Sequence, residues 1–425
     1  MKVYLDSVGC RLNQAEIEKM ALEFRAAGHE IVKDIEQAEL VVVNTCAVTA
    51  AAASDSRQKI RQANRAGVKK IIATGCWATL APVEAGKLQG VTDVIGNEEK
   101  EKLTAKILGM QPAAYELEPL ERKPLPGIHR RTRAFIKVQD GCDNHCSFCI
   151  TRIARGKSVS TPKEVVLNEI LSAEKGRAQE IVLSGVHLGA WGRDFSDGET
   201  LTDLIAFLLK STTIPRIRLS SIEPWNLDDR FFDLWQNPRM CKHFHLPLQS
   251  GSQATLKRMV RHTTPDLYHD LVQQIRSKIP GAAITTDIIV AFPGETDVEF
   301  NESLAFAAEM KFASGHVFKY SSREGTAAAR LPGKINGRIA RERSLQMRAV
   351  LAAGEEEYRQ QFTNQVVQVL WESVSEPGPD GRLVHGLSDN YLPVQAWSRT
   401  DLWNTISRVK IINVNEDSLQ GEILE

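Results

Sequence analysis

The sequence predicts an α/β protein with an N-terminal doubly wound parallel-sheet domain, a central partial (β/α)6 barrel and a C-terminal small antiparallel β-barrel. Apolar runs of strand length alternate with helical segments in residues 1–118, the alternation resumes at residue 133, and β-type runs dominate residues 362–425. We therefore expect three domains with these boundaries, a proline-rich linker at residues 119–132 and a connecting helix at residues 346–361. A length of 425 residues suits two or three domains.

The N-terminal domain is predicted from short strands that each precede a cysteine. Cys10, Cys46 and Cys76, called here the auxiliary cysteines, lie just past these strands. The carboxyl ends of parallel strands form one ligand-binding edge of a sheet, so the three thiols are expected to converge. The predicted strands are Lys2–Leu5, Leu40–Val43 and Lys70–Ala73, and the predicted helices are Asn13–Ala27 and Ser54–Ala66.

Six strand–helix repeats predict the central barrel. Catalytic groups of such barrels lie at the C-terminal ends of the strands, and Cys142 follows the first strand. The predicted strands are Ala134–Val138, Glu180–Leu183, Arg216–Ser220, His243–Pro247, Ala283–Val290 and His316–Tyr320. The predicted helices are Pro162–Lys175, Leu201–Lys210, Asp228–Gln236, Asp266–Lys278 and Val298–Met310.

The C-terminal region is predicted to form one long polar helix followed by a small barrel. The helix is expected at Asn336–Gln361. The turn-rich segments between the β-type runs indicate five short strands. These are Val366–Trp371, Arg382–Leu387, Val394–Trp397, Val409–Val414 and Gly421–Leu424.

The amino-acid composition limits the classes of protein to which this chain can belong. The 53 basic and 53 acidic residues cancel, so a nucleic-acid partner would have to bind a local patch. The N-terminus has no apolar signal-peptide core, and no apolar stretch is long enough to span a membrane. Seven cysteines are too few for a disulfide scaffold of this length and favour metal ligation in a reducing cytoplasm. We expect a cytoplasmic protein with no membrane partner.

The strongest motif is a compact loop with three cysteines. Cys142, Cys146 and Cys149, called here the loop cysteines, can hold a [4Fe-4S] cluster whose fourth iron has no protein ligand. An open iron can chelate the amine and carboxylate of S-adenosylmethionine, and Phe148 could contact its adenine. The alternative is a structural zinc site with His145 as fourth ligand. For the auxiliary cysteines the alternative is three unrelated buried thiols.

These motifs resemble those of the radical S-adenosylmethionine methylthiotransferases, and the resemblance extends over the whole chain. Within that family they resemble the tRNA branch that acts on N6-threonylcarbamoyladenosine. The segments that match the family are Ser7–Asn13, Val43–Thr49, Thr74–Cys76 and Gly141–Cys149, and those that resemble this branch are Ser184–Gly189, Arg218–Pro224 and His245–Ser252.

The resemblance implies two [4Fe-4S] clusters and S-adenosylmethionine. The loop cysteines would hold the cluster that cleaves S-adenosylmethionine to a radical, and the auxiliary cysteines a cluster whose open iron carries the sulfur to be donated. One S-adenosylmethionine would methylate that sulfur, and the radical would remove hydrogen from carbon 2 of the adenine. Polar strand-end residues would bind S-adenosylmethionine, the alternative for each being loop capping. They are Ser184, Gly185, Ser220, Glu223 and Gln249.

The resemblance also implies the partners: the anticodon loop of tRNA, an electron donor such as flavodoxin or ferredoxin, and a sulfur source. Arg57, Arg61 and Arg65 recur at helical spacing and could contact phosphates, the alternative being a solvated face. The C-terminal barrel resembles the family's RNA-binding TRAM domain. His187 and Glu223 favour the threonylcarbamoyladenosine branch. The alternatives are the isopentenyladenosine branch, the branch acting on a ribosomal protein aspartate, and a non-catalytic zinc-stabilised RNA-binding protein.

Overall fold

The computed structural model describes residues 1–109, 120–127, 131–225, 227–228, 230–378 and 381–424. Part of the linker predicted at residues 119–132 lies outside the described residues. The chain forms two compact units. The first contains residues 1–144, 149–198 and 211–213, and the second contains residues 145–148, 199–210 and 214–425. The predicted domain boundaries remain predictions.

The N-terminal part of the first unit is a five-stranded parallel sheet with strand order β2-β1-β3-β4-β5. Alternate residues of β3 point to opposite faces: Val42 packs in a cluster with Phe24 of α1, and Val43 packs in a cluster with Ile60 of α2. Helices therefore cover both faces, as a doubly wound sheet requires. The elements are β1 (Lys2–Ser7), α1 (Arg11–Ala26), β2 (Glu30–Ile31), β3 (Leu40–Thr45), α2 (Ala50–Arg65), β4 (Lys70–Gly75), α3 (Cys76–Leu80), α4 (Pro82–Gly86), β5 (Val91–Ile95) and α5 (Leu103–Leu108).

The first unit continues into the start of the predicted barrel. Strands β6 and β9 pair in parallel, and β7 pairs with β8 in a short antiparallel ladder. The sequence did not predict the β7–β8 ladder, because two-residue strands carry no readable period. The elements are β6 (Ala134–Lys137), β7 (Gln139–Asp140), α6 (Thr151–Arg155), β8 (Val159–Ser160), α7 (Lys163–Lys175) and β9 (Glu180–Ser184).

The second unit holds the other predicted barrel strands. Strands β11, β12 and β13 form a parallel sheet, and single parallel bridges link Ile217 to Met240 and Ser221 to His245. The elements are α8 (Leu201–Ser211), β10 (Arg216–Leu219), β11 (His243–His245), α9 (Gln253–Met259), α10 (Pro265–Lys278), β12 (Ala283–Val290), α11 (Asp297–Met310), β13 (Ser314–Lys319) and α12 (Gly337–Gln360).

The helix predicted at Asp228–Gln236 is instead a 3-10 helix, Phe231–Gln236. Phe231, Phe232 and Trp235 are all buried, so more than one side of this short segment contacts the core. A 3-10 turn is a common solution for so short a connection.

The last five strands close into a barrel with order β14-β15-β16-β18-β17. The prediction of an antiparallel barrel is wrong for one pair, because β16 and β18 run parallel. An odd number of strands in a closed ring cannot alternate in direction throughout, so one parallel pair is unavoidable. The strands are β14 (Val366–Gly378), β15 (Gly381–Ser388), β16 (Pro393–Ser398), β17 (Ile406–Val414) and β18 (Leu419–Leu424).

Among the described residues, we find no helix that is both long and apolar enough to cross a membrane.

Candidate cysteine sites

The auxiliary cysteines lie at one edge of the N-terminal sheet. Cys10 follows β1 and precedes α1, Cys46 comes directly after β3, and Cys76 directly follows β4 as the first residue of α3. The Cys46 backbone N–H donates to Ser56 Oγ of α2 at 3.0 Å, which fixes the start of its loop. The prediction that each cysteine follows a parallel strand is confirmed.

The three thiols are close enough to influence one another. The pKa of Cys46 is raised to about 11, mainly by burial and in part by the neighbouring Cys10 and Cys76 thiols. Gly9 has a φ of +100°, and a Cβ on it would lie 2.5 Å from Cys46 Sγ. Only glycine therefore allows the loop before Cys10 to approach the second thiol.

Asn13 connects the loops that carry two of these thiols. Its side-chain N–H₂ donates to the carbonyls of Val8 and Thr45 at 2.7 and 3.2 Å. This pair of bonds directs the amide oxygen toward Cys10, whose Sγ lies 3.8 Å from Oδ1. Arg155 Nη2 donates to the same oxygen at 2.7 Å. One amide therefore joins the ends of β1 and β3 to helix α6.

Arg155 belongs to a buried charged network. Its Nη1 contacts Glu16 Oε1 at 2.8 Å and Asp140 Oδ1 at 2.9 Å, and its side chain is only 1% exposed. Lys100 Nζ contacts Glu16 Oε2 at 2.7 Å. Burial alone would raise the pKa of Glu16, but Arg155, Lys100 and Lys137 hold it well below the usual range. Glu16 is therefore ionised and compensates two buried cations.

The third thiol is connected to the same short helix. Asn97 Nδ2 donates to the carbonyl of Ala154 at 2.6 Å and lies 3.7 Å from Cys76 Sγ. Ala154 is the neighbour of Arg155 at the end of α6. Helix α6 therefore contacts the surroundings of Cys10 through Asn13 and those of Cys76 through Asn97.

The loop cysteines are divided between the units: Cys142 and Cys149 belong to the first and Cys146 to the second. In the first unit the Cys142 N–H donates to the Gly156 carbonyl at 3.1 Å, and α6 begins two residues after Cys149. Gly141, with a φ of +66°, has no room for a Cβ, which would lie 1.8 Å from the carbonyl oxygen of Lys157. The loop thus packs closely on the chain that follows α6.

In the second unit Arg261 contacts Cys146. Its Nη1 lies 3.7 Å from Cys146 Sγ, and its Nη2 donates to Glu223 Oε2 and to the Pro247 carbonyl, both at 2.6 Å. The guanidinium also lies over the Trp225 ring, 4.5 Å from the centroid. Burial alone would lower the pKa of Arg261, but Glu223 and Cys146 raise it.

The residues predicted to bind S-adenosylmethionine fall at strand ends. In the first unit Ser184 ends β9, its carbonyl accepts from Val138 N–H at 2.9 Å, and Gly185 follows it. A Cβ on Gly185 would lie 2.9 Å from Gln139 Oε1, so a larger residue would displace that side chain.

In the second unit Ser220 follows β10 and is buried, and Glu223 is paired with Arg261. Gln249 has a φ of +74°, and its backbone pairs with Asp287 and Ile289 of β12. Strained backbone of this kind is common at functional sites. Whether these residues contact S-adenosylmethionine remains a prediction.

Phe148 is half-buried in the second unit and contacts Phe292 edge to face, with ring centroids 6.4 Å apart. The apolar cluster around these rings also contains Met259 and Ala328. Phe148 is therefore held against protein on one side, and its predicted contact with adenine remains a prediction.

Arg57, Arg61 and Arg65 all lie on α2, at the predicted spacing of four residues. Arg61 and Arg65 are exposed, whereas Arg57 is half-buried and lies over the Trp77 ring at 5.7 Å. The helix is confirmed, and the RNA contact stays a prediction.

The residues around the auxiliary cysteines fit an iron–sulfur cluster. Three thiols, a buried guanidinium and an amide N–H directed at sulfur suit an anionic group with soft metal atoms. In the part of the chain that the structure describes, no three His, Cys, Asp or Glu side chains are placed so that together they could hold a single metal ion. A cluster does not require that geometry, because each thiolate binds a different iron.

Sequence reasoning missed Arg155, Arg261, Glu16 and Asn97. Arg155 and Glu16 are 139 residues apart, and nothing in the local pattern of either marks it as buried. Asn13 ends the Ser7–Asn13 segment, but the sequence assigned no role to it. The sequence offered one signal for Arg155: it lies in the segment 150–155, which directly follows Cys149.

Two family regions match this chain. Residues 2–96 match a family described as "Uncharacterized protein family UPF0004", and residues 136–307 match the radical SAM superfamily. The superfamily implies one [4Fe-4S] cluster and S-adenosylmethionine. A cobalamin-binding radical S-adenosylmethionine methyltransferase, TsrM from Kitasatospora setae, has a similar fold, with a TM-score of 0.57 at 15% identity over 77% of each chain.

Curated relatives match nearly the whole chain. A threonylcarbamoyladenosine tRNA methylthiotransferase, MtaB from Bacillus subtilis, is 34% identical over 99% of this chain and 96% of its own. The protein of that name from Thermotoga maritima is 37% identical over 80% of each chain. A tRNA-2-methylthio-N(6)-dimethylallyladenosine synthase from Sulfurimonas denitrificans is 31% identical over 100% of this chain and 99% of its own.

Proposed function

The chain belongs to the radical S-adenosylmethionine methylthiotransferases, and we propose that it inserts a methylthio group at carbon 2 of N6-threonylcarbamoyladenosine next to the anticodon of tRNA. The observation that carries this proposal is the convergence of Cys10, Cys46 and Cys76 at one sheet edge, next to a buried arginine. A radical enzyme that only cleaves S-adenosylmethionine needs one set of three cysteines, and this chain has a second.

The auxiliary cysteines would hold the second [4Fe-4S] cluster, and the loop cysteines the first. When bound, the clusters would supply the electron for S-adenosylmethionine cleavage and the site of sulfur attachment. The chain's own residues position them: Asn13 and Asn97 orient two auxiliary thiols, and Arg261 contacts one loop thiol. Ser184, Gly185, Ser220, Glu223 and Gln249 are the proposed S-adenosylmethionine contacts.

The proposed layout follows the sequence prediction, with the first cluster in a (β/α)6 barrel and a C-terminal TRAM-like barrel that contacts tRNA. Residues 362–425 carry four Lys or Arg and nine Asp or Glu. Phosphate contacts are therefore proposed to come mainly from α2, with Arg61 and Arg65 exposed there. Because its substrate is tRNA, we place the enzyme in the cytoplasm, with a flavodoxin or ferredoxin as electron donor and a separate sulfur source.

The choice of nucleoside rests on two kinds of support. Relatives bearing the threonylcarbamoyladenosine name match at 33–37% identity, and those bearing the dimethylallyladenosine name at 30–31%. His187 and Glu223 favour the first branch. His187 is buried, its N–H donates to Gln139 Oε1 at 2.8 Å, and its Nδ1 lies 3.3 Å from Asn144 Nδ2.

Mass analysis of modified nucleosides tests the substrate directly. In tRNA from a strain lacking this gene, we expect 2-methylthio-N6-threonylcarbamoyladenosine to disappear and its unmethylthiolated precursor to accumulate. The wild-type gene should restore it, and a Cys46→Ala gene should not. Loss of the methylthio group from isopentenyladenosine instead would assign the chain to the other tRNA branch, and a change only in a ribosomal protein aspartate to the third.

Anaerobic purification separates the enzyme from the zinc-stabilised RNA-binding protein. The enzyme is expected to be brown with about eight irons, four in each of two cubanes. A colourless protein that contains zinc and leaves the nucleosides of the deletion strain unchanged would support the non-catalytic alternative.

A further inference from the structure

We propose that Arg155 is a positioning residue of the auxiliary cysteine site, where its buried positive charge stabilises the reduced state of the bound cluster. The inference rests on the proposed function, because it requires a cluster on the auxiliary cysteines. It concerns a residue that follows the loop cysteines in sequence and yet acts at the other set.

The first step is that the guanidinium has a fixed position. Five hydrogen bonds hold Arg155, two to Glu16, two to Asp140 and one to Asn13, at 2.7–3.3 Å. Its side chain is 1% exposed, so neither motion nor solvent screening weakens its field. Such a charge acts at longer range than one in water.

The second step is that this charge acts on two of the auxiliary thiols, those of Cys76 and Cys10. Arg155 and Cys10 both contact the side-chain oxygen of Asn13. Asn97 contacts both Cys76 and Ala154, the residue that precedes Arg155. When a metal displaces its proton, Cys10 can no longer donate to Asn13 Oδ1. The guanidinium then remains as the donor that this oxygen needs, so the amide keeps its orientation in the loaded site.

The third step is electrostatic. Three thiolates and a cluster concentrate negative charge, and reduction adds another electron. A fixed cation nearby stabilises the reduced state, and hydrogen bonds and charges around a cluster are known to set its potential. Removing the cation must therefore move the midpoint potential to more negative values. Glu16 and Asp140 do not cancel this effect, because Lys100 also pairs with Glu16 and Lys137 also pairs with Asp140.

The test isolates the auxiliary site in the full-length chain. Cys142→Ala, Cys146→Ala and Cys149→Ala together give a parent that can bind only the auxiliary cluster. Anaerobic reconstitution should load it with about four irons. Its potential is then measured by redox titration monitored by electron paramagnetic resonance, with Arg155→Met and Arg155→Lys added to the parent.

We expect Arg155→Met to shift the potential to more negative values and Arg155→Lys to stay near the parent. Lys157→Gln is the matched control: it removes an exposed charge two residues away, and the potential should not move. An Arg155→Met cluster with the parent's potential overturns the inference, as does an equal shift or equal loss of iron in both Arg155 variants. If Arg155→Met alone loses iron, the potential of the fraction that keeps its cluster decides by the same comparison.

The two proposals fail in different ways. A parent that holds no iron, together with a wild-type chain that makes no methylthio product, contradicts the proposed function and with it this inference. A parent that holds its cluster, with potentials that do not depend on the charge of residue 155, contradicts only the inference.

Discussion

Arg261 and Glu223 form an ion pair within the second unit, with Nη2 and Oε2 2.6 Å apart. The arginine side chain is 1% exposed, whereas the glutamate is 17% exposed. Arg261 also approaches Cys146 Sγ at 3.7 Å, so one guanidinium links a proposed S-adenosylmethionine contact to a loop cysteine. Neither residue can be changed without altering the surroundings of the other.

A double-mutant cycle on this pair should show strong coupling. Arg261→Met leaves the Glu223 carboxylate and the Pro247 carbonyl without their donor, and breaking one side of a buried ion pair costs about 3–5 kcal/mol. Glu223→Gln should cost less, because an amide oxygen still accepts from Arg261. We expect a coupling of about 0.5–3 kcal/mol in urea unfolding. Additive losses would mean that the two side chains do not stabilise each other.

Single cysteine variants should separate the two proposed clusters. Cys142→Ala is expected to abolish S-adenosylmethionine cleavage, because it removes a ligand of the cluster that supplies the electron. Cys46→Ala is expected to leave cleavage intact while sulfur insertion stops. The measurements are 5′-deoxyadenosine and methylthio nucleoside formed from the same tRNA. Methylthio product at the wild-type rate from Cys46→Ala would disprove the role of the auxiliary cysteines.

The sequence predicted the positions of the auxiliary cysteines because strands such as β3 begin with an uninterrupted apolar run, here Leu40–Val43, and the sheet edge then follows from topology. It could not predict that Arg155 or Arg261 is buried. A charged side chain is buried only where distant partners compensate it, and Glu16 lies 139 residues from Arg155. Such pairings depend on tertiary structure, and no local period encodes them.

The charge on Glu16 should make the free energy of unfolding depend on pH in the acidic range. Its pKa in the folded protein lies well below the ordinary value of 4.5, despite burial, because of Arg155 and Lys100. A depressed pKa contributes stability above pH 4.5 that is lost as the pH falls toward the folded pKa. In urea unfolding of the iron-free chain, Glu16→Gln should lose about 3–5 kcal/mol at pH 7.

That difference between wild type and Glu16→Gln should shrink as the pH falls below 4.5. Glu84→Gln serves as the control, because Glu84 is exposed on α4. A difference that stays constant with pH would show that packing, and not charge, accounts for the loss.

The C-terminal barrel is attached through a buried arginine of β10. Arg218 is fully buried, donates to the carbonyls of Ser388 and Asp389 at 3.1 and 2.9 Å, and lies over the Tyr391 ring at 5.0 Å. Arg218→Met removes this donor from both carbonyls; Ser388 still accepts from Tyr391 N–H, whereas the loss at Asp389 costs about 1–3 kcal/mol. We expect faster proteolysis within residues 362–425, while Arg382→Met, at an exposed position of β15, leaves the rate unchanged.

The basic face of α2 predicts a salt-dependent contribution to tRNA binding. Arg61 and Arg65 are exposed one helical turn apart, so both can neutralise phosphates of one backbone. Arg61→Ala with Arg65→Ala should weaken tRNA binding and reduce the slope of log K against log salt by about 1 for each lost contact. Lys87→Ala, which removes an exposed charge just past α4, should leave both affinity and slope unchanged. An unchanged slope in the double variant would make this face of α2 ordinary solvated surface, because counterion release accompanies every phosphate contact.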